Sequence, residues 1–277
     1  MTPQPPEYIC GHSAHELERL EIQAAFFEDL TRAFLLRAGL ARGMRVLDIG
    51  CGAGDVSFLA AEIVAPSGHV VGVDRAAEAV ALAARRAAAP GLAQVSFRAT
   101  DIASLPADLT VDALIGRFVL MHQPDPARTL RQAARSLRPG GLVALIESHL
   151  SASVAGLHSL PHSPLYDRVC RWFAEVIRAS GAHPDMGLRL RSTFLDAGLP
   201  PPQVRLEARV EGGPGSPVYR YIAESVRSML PLARSLGIDK FSASEIDNLE
   251  EQLRKETTVS NGVLTSPVLV SAHCRVG

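Results

Sequence analysis

Between Arg45 and Val56 the chain reads RVLDIGCGAGDV: an aliphatic run carrying Asp48, glycines at alternate positions (Gly50, Gly52, Gly54), then a second acid at Asp55. Alternate glycines after a buried run serve close approach, since a glycine lacks the Cβ that would hold a ligand away from the backbone. Two ligand chemistries compete for such a loop. A dinucleotide fingerprint has the spacing G-x-G-x-x-G and sets a helix N-terminus against a pyrophosphate. Here the third glycine comes one residue early, and Asp55 stands where that glycine belongs. An acid at the helix mouth would repel a pyrophosphate, so a ligand carrying positive charge suits the loop better.

Other chemistry-bearing residues fall at the ends of aliphatic runs. VVGVD closes on Asp74, RATDIASLP carries Asp101, and VDALIGRFVLMHQPDP carries Gly116, Arg117 and His122. GLVALIESHL ends with Glu147 and His149, where a base able to take a proton from an acceptor would sit; an exposed loop pair is the competing reading. Near the N-terminus, Tyr8, His12, Glu16 and Arg19 form a polar set, although Glu16 also completes a capping box with Ser13. Tyr8 and Glu16 join Glu147 and His149 as candidate catalytic groups. Cys10, Cys51, Cys170 and Cys274 form no CxxC pair and have no histidine at metal-ligand spacing, so no metal site is expected.

The elements that must position these residues alternate. Leu17, Leu20, Ala24, Phe27, Phe34 and Ala38 recur at helical spacing up to Gly39. Strands are predicted at 45–49, 69–73, 94–98, 111–115 and 142–146, with helices at 55–64, 76–88 and 126–137 between them. This alternation implies an α/β fold with a mainly parallel sheet covered on both faces. After Glu147 the rhythm changes: SPLYDRVCRWFAEVIRASG and GLRLRSTFLDAG read as helices, PPPQVRLEARVE as a strand, 217–257 as helices, and GVLTSPVLVSAHCRV as one last strand. The expected organisation is an N-terminal lid segment over 1–40 and a main domain over 41–277, with helical cap insertions at about 150–200 and 212–262. Trp172 and Phe173 read as packing, as do Tyr166, Tyr219, Tyr221 and Met229, although aromatic and Met side chains on a lid also suit an apolar acceptor.

VLDIGCGAGD followed by VVGVD resembles the first two cofactor motifs of the class I methyltransferases that use S-adenosylmethionine, a ligand with an ammonium, a sulfonium and no phosphate. The N-terminal pattern Tyr8, Gly11, Ser13, Glu16, Arg19, Leu20 and Gln23, with GRFVLMHQPDP and FLDAGLPPP, is similar to a small-molecule branch distantly related to the ubiquinone/menaquinone-biosynthesis enzymes. The resemblance implies a Rossmann-like, seven-stranded, mostly parallel sheet with an antiparallel last strand. It implies that Asp48 holds the amino-acid end of the cofactor, that Gly50, Cys51, Gly52 and Gly54 let the backbone approach it, and that Asp74 accepts from both ribose hydroxyls. It further places Arg75 near the adenine, Asp101 on the adenine amino group, the Ile102 amide against the ring, and Gly116 and Arg117 beside the methionine moiety.

Composition limits the partners. The chain has 277 residues, is 47% hydrophobic and carries a formal net charge of −1, so it can bury a substantial core and has no basic surplus of the kind nucleic-acid binding needs. No apolar stretch is long enough to cross a bilayer and no leader is evident, which makes a cytoplasmic protein with no membrane partner the expectation. The expected partner is a small, partly apolar, aromatic-compatible acceptor in specialised metabolism, methylated from S-adenosylmethionine with S-adenosylhomocysteine as product. A homo-oligomer in which lid residues reach a neighbouring subunit stays open. Two other readings compete: methylation of a macromolecule, weakened because Ile115-Gly116-Arg117-Phe118 lacks the Asn/Asp-Pro-Pro-aromatic motif, and a cofactor-binding protein that transfers no methyl group.

Overall fold

The computed structural model describes residues 14–88, 92–150 and 158–277. In chain order its elements begin with α1 (Ala14–Ala38), β1 (Arg45–Ile49), α2 (Asp55–Val64), β2 (His69–Asp74), α3 (Ala77–Ala87), β3 (Val95–Ala99), β4 (Val111–Arg117), α4 (Pro126–Ala134) and β5 (Leu137–His149). There follow β6 (Ser159–Leu160), α5 (Pro164–Ala179), α6 (Met186–Asp196), β7 (Gln203–Glu207), β8 (Val210–Gly212), α7 (Val218–Ser235), α8 (Ala243–Asp247), α9 (Leu249–Val259), β9 (Val263–Thr265) and β10 (Val268–Arg275). The chain divides into two compact units.

One unit comprises Phe27–Glu147, Met186–Leu206 and Val270–Gly277 and is built on a seven-stranded sheet in the order β3-β2-β1-β4-β5-β10-β7. The pairs β1–β2, β1–β4, β2–β3 and β4–β5 are parallel, and the sheet as a whole is mostly parallel, as expected. Parallel strands with helices on both faces have no solvent side, which is why β1 and β4 are near-continuous aliphatic runs: Val46, Leu47, Ile49, Leu114 and Ile115 are fully buried. α2 answers with Leu59, Ala60, Ala61 and Val64 on its buried face. At the head of α4, the Asp125 side chain accepts from the Arg128 amide and Pro126 needs no partner for the hydrogen it lacks. β5 begins earlier than the predicted 142–146, because Pro139-Gly140-Gly141 shifts its register against β4 without ending the strand: Val111 faces Leu137, yet Ala113 faces Leu142.

The other unit comprises Met1–Phe26, Ser148–Asp185 and Glu207–Leu269, with α5, α7, α8 and α9 around a three-stranded sheet in the order β6-β9-β8. Its core includes Tyr166, Trp172, Tyr219 and Leu253. The Trp172 indole donates to the Ile238 carbonyl at 2.9 Å, and its ring meets Phe241 edge-on. The segment expected to form a single cap insertion at about 150–200 contributes to both units, with α6 in the sheet unit. The single last strand expected over GVLTSPVLVSAHCRV is two strands. Pro267 has no amide hydrogen for a ladder, and at this point the Ser266 amide donates instead to the Arg209 carbonyl, so β9 and β10 serve different sheets. PPPQVRLEARVE likewise divides into β7 and β8.

Candidate functional site

The glycine loop joins β1 to α2. Gly50, Gly52 and Gly54 all have left-handed torsions, with φ of 62°, 52° and 91°. Their surroundings differ. A Cβ on Gly50 would lie 2.6 Å from the Val119 side chain, whereas a Cβ on Gly52 would meet nothing within 4 Å. Gly50 therefore makes room for protein, and Gly52 presents bare backbone to open space. The Cys51 amide donates to the Val73 carbonyl at 3.0 Å, which ties the loop to β2, and burial pushes the Cys51 thiol far above its ordinary range.

Asp74, at the end of β2, takes the Gly52 amide on one carboxylate oxygen and the Ala76 amide on the other, both at 2.9 Å. A carboxylate oxygen accepts in two directions, so this half-buried group keeps acceptor capacity for hydroxyls of a ligand lying over Gly52. Asp48 lies beneath the loop, 1% exposed, where the Ser57 hydroxyl donates to it at 2.5 Å. Burial raises its carboxyl to about 7; the Ser57 bond and the Arg117 charge oppose the rise, and Asp74 and Asp55 add to it. A cation brought close would favour the ionised form.

Asp55, expected as a repelling acid at the helix mouth, is instead engaged within the fold. Its carboxylate is paired with Arg86 of α3 at 2.8 Å, and the same guanidinium donates to the Ala53 carbonyl at 2.7 Å while lying 4.9 Å from the centre of the Phe58 ring. Asp55 is thus paired from within the fold, which weakens its field on an anion at the loop without abolishing it, since it still adds to the rise at Asp48. The case against a pyrophosphate rests mainly on Asp48 and Asp74, and on the engagement of Arg86 with Asp55 and Ala53. Arg86 and Ser57 both escaped the sequence reading; a serine one turn into the glycine-loop helix was the only local signal for either.

The exit of β4 is held by a buried acid. Glu147, 1% exposed near the end of β5, accepts from the amides of Val119 (2.9 Å) and Leu120 (2.6 Å) on one oxygen and of Met121 (3.3 Å) on the other. These amides open the 3-10 turn Leu120–His122, preceded by Phe118 at a left-handed φ of 59°, costly for an aromatic residue. Burial raises the Glu147 carboxyl to about 7 against the pull of the three amides. The expectation of a catalytic base at Glu147 does not fit this geometry: its oxygens hold a strained turn.

His149, the last residue of β5, lines a largely apolar cavity inside the second unit. α5 offers Tyr166, Val169, Cys170 and Phe173, spaced as one helical face, and α7 adds Tyr221, Ile222 and Ser225. The Leu150 amide donates to the Pro184 carbonyl at 2.8 Å, and next to that tie the His149 Nδ1 stands 3.3 Å from an Asp185 carboxylate oxygen. Asp185 and Ser225 were absent from the sequence reading, since nothing in local spacing links them to His149. Tyr166, Tyr221 and Phe173, read as packing, face the cavity, whereas Trp172, Tyr219 and Met229 are buried as read.

The remaining candidates are scattered. Asp101 is exposed and accepts from the Ala103 amide at 2.8 Å, capping the turn that begins at Ile102. Arg75 is exposed beside Asp74. Gly116 is buried, and a Cβ there would lie 3.0 Å from Ile49, so its smallness serves strand packing. Arg117 donates to the Thr31 hydroxyl at 2.9 Å. Tyr8 and the Glu16 side chain lie outside the described residues, as does the capping box with Ser13. Among the described residues no cluster of three or more metal-ligating side chains occurs, and no helix is long and apolar enough to cross a membrane.

A glycine loop after the first strand, an acid closing the second, and a seven-stranded mostly parallel sheet define the Rossmann-like class I methyltransferase fold. Residues 40–180 match the family model described as a methyltransferase domain, and the chain belongs to that family. It is 42% identical over 109 residues to an arsenite methyltransferase of Halobacterium salinarum, covering 39% of this chain and 28% of the relative. It is 36% identical over 125 residues to a 2-phytyl-1,4-naphtoquinone methyltransferase of Synechococcus elongatus, covering 44% and 49%. The chain thus spans between about a quarter and a half of the length of these curated relatives. Among solved structures, YcgJ of Bacillus subtilis superposes with a TM-score of 0.58 at 18% identity, covering 90% of this chain and 100% of that one. A phosphoethanolamine N-methyltransferase of Haemonchus contortus, solved with S-adenosylhomocysteine, gives 0.55 at 19% identity, covering 93% and 57%. The cyclase SpnF gives 0.53 at 22%, covering 90% and 82%. At these identities the structures speak for the fold alone.

Proposed function

We propose that this protein transfers a methyl group from S-adenosylmethionine to a small, partly apolar, aromatic-compatible molecule of specialised metabolism. The observation that carries the reading is the pairing of Gly52, whose missing side chain leaves open space, with the Asp74 carboxylate fixed against the Gly52 amide. A ligand with a vicinal diol and no phosphate suits that pair. Asp74 accepts from the ribose hydroxyls, Gly50, Cys51, Gly52 and Gly54 form the backbone cradle, and Asp48 supplies negative field from below for the ammonium end. Arg75, Asp101 and the Ile102 amide serve the adenine side, and Gly116 and Arg117 shape the methionine side through packing and through the bond to Thr31.

When bound, the cofactor supplies a methyl carbon already activated by a sulfonium, so the protein needs no nucleophile of its own and works by holding two molecules in line. Glu147 contributes by fixing the β4 exit. His149 is the retained candidate for handling an acceptor proton, and Tyr8 and Glu16 stay candidates on the N-terminal segment.

The test is transfer of labelled methyl from S-adenosylmethionine into a fractionated cell extract, comparing the protein with Asp74→Ala. Label in a small-molecule fraction, absent with the variant, is the expected result. Label in protein or RNA fractions would move the assignment to macromolecules. Cofactor binding without transfer over a broad acceptor panel would favour the non-transferring reading.

A further inference from the structure

The cavity of the second unit holds polar atoms that the fold leaves unsatisfied. The Ser225 hydroxyl, on a residue only 5% exposed, lines it and has no hydrogen-bond partner. The His149 Nδ1 and the Asp185 oxygen are also buried without a hydrogen bond, although 3.3 Å apart: ion-pair distance, but poorly aligned. An unpaired buried polar atom costs about 1–3 kcal/mol, so the Ser225 hydroxyl and the His149 ring nitrogen, on two residues that line one cavity, call for an explanation. The Tyr166 hydroxyl, by contrast, is spent on the Thr265 carbonyl at 2.5 Å.

We propose that this cavity binds an apolar, ring-sized molecule through a hydroxyl group, which bonds to Ser225 and passes its proton to His149 with Asp185 as the balancing charge. The proton balance is simple. The ligand O–H bond breaks with its electron pair left on oxygen, an N–H bond forms on the neutral imidazole, and the imidazolium faces the Asp185 carboxylate. Nothing is oxidised or reduced. The other titratable groups on the walls are His158, Tyr166, Cys170 and Tyr221. Burial lowers His158, with Asp167 and Arg171 pulling it in opposite directions; burial also raises Tyr166, and lifts Cys170 to about 12. These three stay neutral near neutral pH, so the carboxylate that faces His149 and can balance an imidazolium there is Asp185, at 3.3 Å. Val169, Phe173, Ile222 and Val268 supply the apolar walls.

This inference concerns binding within the second unit and is measured without the cofactor; it deepens the function proposed above only in the chemical class of the acceptor, a hydroxyl compound, and for that it rests on that function. The full chain is titrated with para-nitrophenol, whose absorbance reports both occupancy and ionisation, and with para-nitroanisole and para-nitroaniline as comparators. Para-nitrophenol should bind about tenfold more tightly than para-nitroanisole, the equivalent of about 1.4 kcal/mol. Its ionised fraction when bound should exceed that of the free phenol at the same pH. Ser225→Ala should weaken para-nitrophenol about fivefold and leave para-nitroanisole within about twofold. His149→Gln and, as a positioning residue, Asp185→Asn should each remove the extra ionisation; near-ultraviolet dichroism shows whether each variant is folded. Equal affinity for the three probes, or an unchanged ionised fraction in wild type, overturns the proposal, and folded variants that match wild type do the same. Calorimetric titration with S-adenosylmethionine on the same samples separates the two readings: a null there with para-nitrophenol bound removes methyl transfer and leaves the cavity assignment standing.

Discussion

Replacing Glu147 by Gln tests whether burial or hydrogen bonding governs the acid that holds the β4 exit. Three backbone amides donate to this carboxylate, and taken alone they would pull its pKa below the ordinary value. Burial opposes them and wins, raising the group from 4.5 to about 7. A carboxyl raised on folding binds more protons in the native state than in the unfolded chain between those two values. Its contribution to stability is therefore full below the unfolded pKa and fades as pH rises through the folded one. The gap of about 2.5, at about 1.4 kcal/mol for each pH unit, sets a ceiling of about 3 kcal/mol, of which about 2.5 kcal/mol falls between about pH 5 and pH 8. Gln does not titrate, so the stability difference between wild type and Glu147→Gln should grow in favour of wild type by about 2.5 kcal/mol as pH is lowered over that range. Comparing the two proteins cancels the histidines, notably His158 and His273, which burial lowers and which act in the opposite direction. The assay is calorimetric or urea unfolding of both proteins across the window; for a chain of this size the difference amounts to about 5–10 °C in melting temperature. A stability difference that is flat, or that widens as pH rises, would show that the amides outweigh burial and that the assigned sign is wrong.

Three further outcomes follow from the glycine loop and its surroundings. Gly50→Ala and Gly52→Ala both force an L-residue into left-handed torsion at about 1–2 kcal/mol, but only the first also drives a Cβ into Val119. Gly50→Ala should therefore be the less stable of the two in urea unfolding, while Gly52→Ala should lose the larger share of S-adenosylmethionine affinity by calorimetry; the reverse ranking would misplace the open face of the loop. Because Asp48 sits near 7 before binding, cofactor affinity should rise as pH passes upward through about 7, with proton release visible as a buffer-dependent binding enthalpy. Asp48→Asn should abolish that dependence, and its persistence would assign the proton to another group. Arg86→Ala leaves Asp55 unpaired at the head of α2, so it should destabilise the protein by about 1 kcal/mol at low salt and less at high salt, read from thermal melts.

The strand and helix alternation from Arg45 to Glu147 was legible because its causes are local. Aliphatic runs buried on both faces, glycines at the loop, Asp125-Pro126 at the head of α4 and an acid at the end of β2 each act within a few residues of themselves. Asp48 and Asp74 stood out for the same reason, since one short strand places each at a predictable end. The order of the strands, the division of the last strand at Pro267, and the separation of α6 from α5 into different units depended on which surfaces found each other. The same holds for side chains. That Arg86 pairs with Asp55, that Glu147 reaches the amides 26 to 28 residues before it, and that His149 meets Asp185 and shares a cavity with Ser225 are consequences of contact between distant segments. A carboxylate in sequence carries a charge and a reach; only the folded surroundings decide whether water is removed from it and which donors replace that water, and those two quantities separate a base from a brace.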